Sequence, residues 1–137
     1  MKNLVCLILV FYVMVGCSED DNQPAKITDG VYVGTFQRKL SRADNQTANI
    51  TIIFSSNQWT GTSDMVKYPA LCHGTYSIKG DTIVFENECA WTAEFDWSLI
   101  LSGKYVIKNS GGTTIEFSRD YRSSTGDIYT DEYKIKK

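Results

Sequence analysis

Two cysteines set symmetrically about a turn constrain this chain more than any other feature. Cys72 and Cys89 lie at equal distances on either side of Gly80-Asp81, and the runs between them, Tyr76-Ser77-Ile78-Lys79 and Thr82-Ile83-Val84-Phe85, are β-branched and aromatic. Gly-Asp between two such runs predicts a tight hairpin, because glycine accepts the positive φ of a primed turn. If Lys79 faces Thr82, then Ile78 meets Ile83, Tyr76 meets Phe85, Gly74 meets Asn87 and Cys72 meets Cys89. The alternation of strand side chains then puts Cys72, Tyr76, Ile78, Ile83, Phe85 and Cys89 on one face. With Lys79–Thr82 as a hydrogen-bonded pair, Cys72–Cys89 falls at a narrow pair, with Cα atoms about 4.5 Å apart and within reach of a disulfide. The alternative is two reduced core thiols, and the compartment decides between them.

The start of the chain speaks to compartment. Met1-Lys2-Asn3 is short and weakly basic, Leu4 to Val15 is unbroken apolar or aromatic, and Met14-Val15-Gly16-Cys17 ends the run. A run of this length suits a signal peptide and falls short of the roughly 20 residues of a membrane helix. The Gly16-Cys17 ending resembles the lipobox of bacterial lipoproteins. That resemblance implies cleavage after residue 16 and lipid attachment, palmitate included, at Cys17. Ser18-Glu19-Asp20-Asp21 resembles the surface-export signal of Bacteroidetes lipoproteins, which implies an outer-membrane anchor and points to the cell surface. Cys6 then leaves with the signal and Cys17 takes lipid. Cys72 and Cys89 remain as an even pair in an oxidising compartment, where a disulfide is expected. Closing a loop of this size contributes on the order of 3 kcal/mol in the chain-entropy picture.

The 137 residues carry 14 Lys and Arg against 16 Asp and Glu, so removal of Lys2 with the signal leaves a balance of −3. Nothing in this suggests nucleic acid, whose binders present a basic face. Residues 17–29 are polar, acidic and aperiodic, and read as a flexible tether. Residues 30–137 read as one domain.

Within that domain the pattern is period two throughout. Tyr32, Gly34 and Phe36 alternate, with Gly34 suited to a close backbone approach. Ala48, Ile50, Ile52 and Phe54 follow, and Gln58–Thr62 forms a third strand after the Ser55-Ser56-Asn57 turn. A loop over 63–70 precedes the cysteine hairpin. Trp97, Leu99, Leu101, Gly103, Tyr105 and Ile107 predict one long sixth strand, with a bulge or bend at Gly103. A three-residue loop, Ser110–Gly112, would set Ile107 against Ile115 and Tyr105 against Phe117 on the seventh strand, where Thr113, Ile115, Phe117 and Arg119 alternate. Tyr129, Tyr133 and Ile135 mark the eighth. Eight strands joined mostly by short turns predict an all-β, eight-stranded antiparallel up-and-down barrel, because closure hides the sheet edges and leaves a monomer.

Gly30-x-Tyr32-x-Gly34-x-Phe36 is similar to the lipocalin opening, with Tyr32 where lipocalins usually carry Trp. The whole domain, and most of all Cys89–Trp97 with Leu99–Tyr105, resembles the small lipocalin-like lipoproteins of Bacteroidetes. The resemblance implies a small apolar or amphipathic ligand inside the barrel, with Trp59, Tyr76, Trp97, Tyr105 and Phe117 as candidate lining residues. The same aromatics at alternating positions serve equally as packed core.

Catalytic chemistry is thinly represented. His73, the one histidine, faces Glu88 in the hairpin register on the side opposite the cysteines, an ordinary cross-strand pair. With the two cysteines bonded to each other, one histidine makes no zinc set, and no cofactor is expected. Glu94 and Asp96, two residues apart among Trp91, Phe95 and Trp97, are the residues a hydrolase would use. Three functions compete: ligand binding in the barrel, protein interaction or enzyme inhibition through the loops, and hydrolysis at Glu94 and Asp96. A hollow interior favours the first. A filled barrel with an exposed aromatic loop near Trp91 or Tyr68 favours the second.

Overall fold

The computed structural model describes residues 25–40 and 45–137. The signal segment, Cys17 and residues 17–24 of the tether lie outside them. The cysteine hairpin forms in the predicted register: β4 (His73–Lys79) pairs antiparallel with β5 (Thr82–Asn87), Lys79 facing Thr82, Tyr76 facing Phe85 and Gly74 facing Asn87. Cys72 and Cys89 lie just past the last ladder pair and are joined by a disulfide with Cα atoms 6.4 Å apart. The separation exceeds that of a ladder pair because both residues sit where the strands begin to part.

Around this hairpin run β1 (Gly30–Leu40), β2 (Thr47–Ser55), β3 (Gln58–Ser63), β6 (Gly103–Asn109), β7 (Thr114–Arg122) and β8 (Ile128–Lys136), in sequence order. Each strand pairs antiparallel with the next, and β1 pairs with β8, so the sheet is a closed eight-stranded up-and-down barrel, compatible with a lipocalin-like fold. The inward positions are those the alternation predicts. Tyr32, Phe36, Ala48, Ile50, Ile52, Phe54, Ile115, Phe117, Tyr133 and Ile135 are all buried. Gly34 meets the neighbouring strand so closely that a Cβ there would lie 1.9 Å from the Lys134 carbonyl oxygen. Burial begins before β1, with Ile27 in the core and the Thr28 carbonyl accepting from the Tyr32 hydroxyl at 2.9 Å.

Two expectations need correction. The sixth strand does not start at Trp97: Trp97–Leu99 is a single 3-10 turn and β6 starts at Gly103. Asp96 caps that turn, its carboxylate accepting from the Ser98 N–H at 2.9 Å, which costs the segment its ladder geometry. Gly103, at φ +87°, then swings the chain into the sheet in a conformation that a side chain disfavours. The β6–β7 register also differs, with Ile107 opposite Phe117 rather than Ile115. The longer connection shifts the register by three residues at Asn109, opposite Glu116, and the bulge between Ile107 and Asn109 takes one back; the Asn109 side chain accepts from the Gly111 N–H. The slip is two residues, an even number, so the apolar face still points inward.

The antiparallel meander sorts its connections by length. Residues 25–29 and the tight turns at 56–57, 80–81 and 110–113 share one end of the barrel. Asn45 and Gln46 before β2 and the connections over 64–72, 88–102 and 123–127 share the other.

Candidate functional site

The end that carries the long connections is closed from within. β1's inward series continues past Phe36 to Arg38, and the register places Arg38 opposite Asp131 of β8, which in turn lies opposite Arg119 of β7. Three charged side chains therefore stand shoulder to shoulder on the inner wall, with Arg38 and Asp131 buried. Arg38 Nε and Nη2 donate to the two Asp131 oxygens at 2.6 and 2.8 Å. Its remaining N–H groups reach the 88–102 connection: Nη1 donates to Asp96 Oδ2 at 2.9 Å and Ser98 Oγ at 2.8 Å, and Nη2 to the Ser98 carbonyl at 3.0 Å. All five guanidinium donors are used. Arg119 donates to Asp131, to the Ser102 carbonyl at 2.7 Å and to the Ser98 carbonyl. Together the two arginines pin residues 96–102 across the barrel mouth.

The 64–72 connection completes the closure. Ala70 N–H donates to the Leu99 carbonyl and Leu101 N–H to the Ala70 carbonyl, so the two loops form a short bridge. Ala70, Ile100 and Leu101 are buried beneath it. The Tyr68 hydroxyl accepts from the Arg38 N–H and donates to the Gln46 carbonyl, tying this loop to β1 and to the residue before β2.

Electrostatics hold Arg38 and Asp96 in their charged forms. Burial works against the Arg38 charge, but the hydrogen bond and charge of Asp131, with Asp96 behind them, raise its pKa on balance. For Asp96, burial pushes the pKa up, and the hydrogen bonds from Ser98 and the charge and hydrogen bond of Arg38 overcome it, leaving the carboxyl below its ordinary value. A depressed carboxyl stabilises the pinned loop at pH values above its unfolded pKa, about 3.9, and that stabilisation is lost as pH falls through the folded value. Trp97 fluorescence is therefore expected to be constant from neutral pH down to about 4 and to change below it. Asp96→Asn should abolish that step; its persistence in the variant would assign it to another carboxyl.

Deeper in the barrel the predicted lining residues pack against one another. Trp59, Tyr76, Tyr105 and Phe117 are buried and Phe85 lies among them, with ring centroids 5.8, 6.4, 5.7 and 5.3 Å from it. Phe117 stacks on Tyr133 at 4.7 Å, and Tyr133 meets Phe36 at 4.8 Å, carrying the ring contacts across to β1. Burial drives the Tyr105 and Tyr133 phenols above the ordinary tyrosine range. Trp97 does not join this set. It is 56 % exposed on the 3-10 turn, outside the mouth.

Outside the mouth Trp97 belongs to an aromatic strip. Phe95 stacks with it at 6.5 Å and meets Trp91 at 5.4 Å, and Lys67 Nζ stands 4.8 Å from the Phe95 ring. Trp91 is steadied by its Nε1–H donating to Asn87 Oδ1 at 2.9 Å. Between Trp91 and the 64–72 loop runs a groove of about 240 Å³, lined among others by Met65, Val66, Lys67 and Leu71, with Val66 91 % exposed. No family model, curated protein or solved structure matches this chain.

Of the acids proposed for hydrolysis, Glu94 is exposed and Asp96 is committed to Arg38 and Ser98. His73 has Glu88 as its neighbour, its Nδ1 3.8 Å from that carboxylate. The mouth cluster was missed in sequence. The signal was present, since Arg38 continues the series Tyr32, Gly34, Phe36, and Asp131 precedes Tyr133 and Ile135 at the same spacing.

Proposed function

We propose that the protein is a lipid-anchored, lipocalin-like lipoprotein of the Bacteroidetes type that binds a protein partner through its long-loop end. The observation that carries this reading is a contrast within one molecule. The barrel interior is occupied by interlocking rings and its mouth is pinned shut, while Trp97, Val66 and Lys67 are exposed outside the mouth. An exposed tryptophan stacked on a second ring, on loops held by a rigid frame, is the composition of a binding hot spot.

The anchor reading agrees with the polarity of the barrel. The described chain enters at Ala25 and Ile27, at the tight-turn end. A tether rising from Cys17 on an outer membrane would turn that end toward the lipid and the loop end toward the surroundings.

The test is to isolate the protein from its own host with whatever it binds and to measure the complex with wild-type and variant chains. Trp97→Ala is expected to weaken the partner by about 30-fold, the loss of a hot-spot residue, whereas Val106→Ala on the barrel wall leaves it unchanged. Native mass spectrometry on the same preparation should find diacyl or triacyl lipid on Cys17. A small apolar molecule retained in the barrel, with no effect of Trp97→Ala, would replace this reading with ligand storage.

A further inference from the structure

Cys72 closes the 64–72 connection and Cys89 stands at the start of the 88–102 connection, so their disulfide staples together the two loops that cover the mouth. Strand alternation would put His73 on the face opposite the cysteines, but all three residues lie at or beyond the end of the ladder, where alternation no longer separates them, and the two sulfurs and a His73 ring nitrogen all lie within 4.8 Å of one another. The histidine is exposed, and an open groove of about 170 Å³ lined by Gln58, Thr60, His73 and Glu88 gives access to it. The ladder beneath has pairs and hydrogen bonds of its own. Gly74 pairs with Asn87, and the Glu88 N–H donates to the His73 carbonyl at 3.0 Å.

We propose that reduction converts this staple into a zinc site whose ligands are Cys72 Sγ, Cys89 Sγ and His73, with a fourth position open to solvent. Two sulfurs bonded to each other offer no thiolate. A dithiol reductant transfers two electrons and two protons to them, breaking the S–S bond and becoming a disulfide itself. Zinc binding then displaces the two thiol protons. The net change is protein disulfide, dithiol and Zn²⁺ going to a protein dithiolate–zinc complex, the reductant's disulfide and two protons. Thiolate and imidazole at neighbouring strand ends suit zinc, which takes sulfur and nitrogen ligands in tetrahedral geometry. Glu88 stands 3.8 Å from His73 Nδ1, and closing that gap when the metal binds would give the ligating histidine the carboxylate that usually stands behind it. Zinc would thereby replace the covalent cross-link and keep the two loops joined under reducing conditions.

The experiment titrates zinc into the full chain after anaerobic reduction with a phosphine and desalting, in competition with a chromophoric chelator, beside the oxidised chain. Reduced protein is expected to bind one equivalent and oxidised protein none. His73→Ala should weaken binding on the order of 100-fold and Glu88→Gln by about tenfold, and both retain the disulfide, so oxidised far-UV circular dichroism verifies their fold. Cobalt(II) in place of zinc should show a thiolate charge-transfer band. Equal retention by oxidised and reduced chains, indifference to His73→Ala, absence of that band, or a loss of sheet structure on reduction that zinc does not prevent would each overturn the proposal.

Discussion

Replacing Arg38 by methionine is expected to lower the free energy of unfolding by about 3–5 kcal/mol, the cost of stranding a buried charge. The magnitude follows from what the guanidinium leaves behind. Asp131 is 1 % exposed and receives two short hydrogen bonds from Arg38. Its other partner, Arg119, reaches it only at 3.4 Å. Without Arg38 the carboxylate keeps the weaker contact and loses the stronger pair, while Asp96 and Ser98 lose the donor that ties their loop to the barrel. Urea denaturation of wild type and Arg38→Met gives the number. Arg38→Met with Asp131→Leu should recover a large part of it, because replacing both partners removes the unpaired charge as well as the bond. A single-variant loss below about 1 kcal/mol would mean that Arg119 alone neutralises Asp131.

The same cluster explains where sequence reading stops. Strand alternation depends on one residue and its neighbours two away, so inward residues such as Phe36, Ile52 and Phe117 can be read from a short window. The hairpin register was legible for the same reason, since a two-residue turn fixes every pair outward from it. Arg38, Asp131 and Asp96 are far apart in the chain and become one unit only when β1 closes on β8. A lone arginine at an inward position reads locally as an error in the pattern. Trp97 failed in the opposite sense: it keeps the period of β6, but Asp96 and Ser98 offer its backbone a local turn that outcompetes the ladder. The β6–β7 slip combines a longer connection with a bulge that takes back one residue of it, and neither leaves a mark in hydropathy. The long connections escape prediction because their geometry is set by each other, Ala70 bonding Leu99 and Leu101 across thirty residues of sequence.

Phe85→Ala is expected to cost about 3–5 kcal/mol, the range for removing a buried aromatic ring, and it bears directly on whether the barrel or its loops do the work. Phe85 projects from the cysteine hairpin and touches rings from β2, β3, β4, β6 and β7, namely Phe54, Trp59, Tyr76, Tyr105 and Phe117. Deleting it removes the transfer energy of the ring and leaves a void among side chains that are themselves locked by their neighbours. Such a void is apolar, and voids of that kind stay dry and accept small aromatic guests. Phe85→Ala should therefore be stabilised by benzene in thermal unfolding, and wild type should not. Since a domain of this size has about 5–15 kcal/mol in total, the variant is best measured at low temperature. If instead it loses less than about 1 kcal/mol, or if wild type gains stability from benzene, then the rings are not mutually supporting and the interior has room of its own. Ligand binding in the barrel would become the better account, and the pinned loop over residues 96–102 would then be the gate through which a ligand must pass.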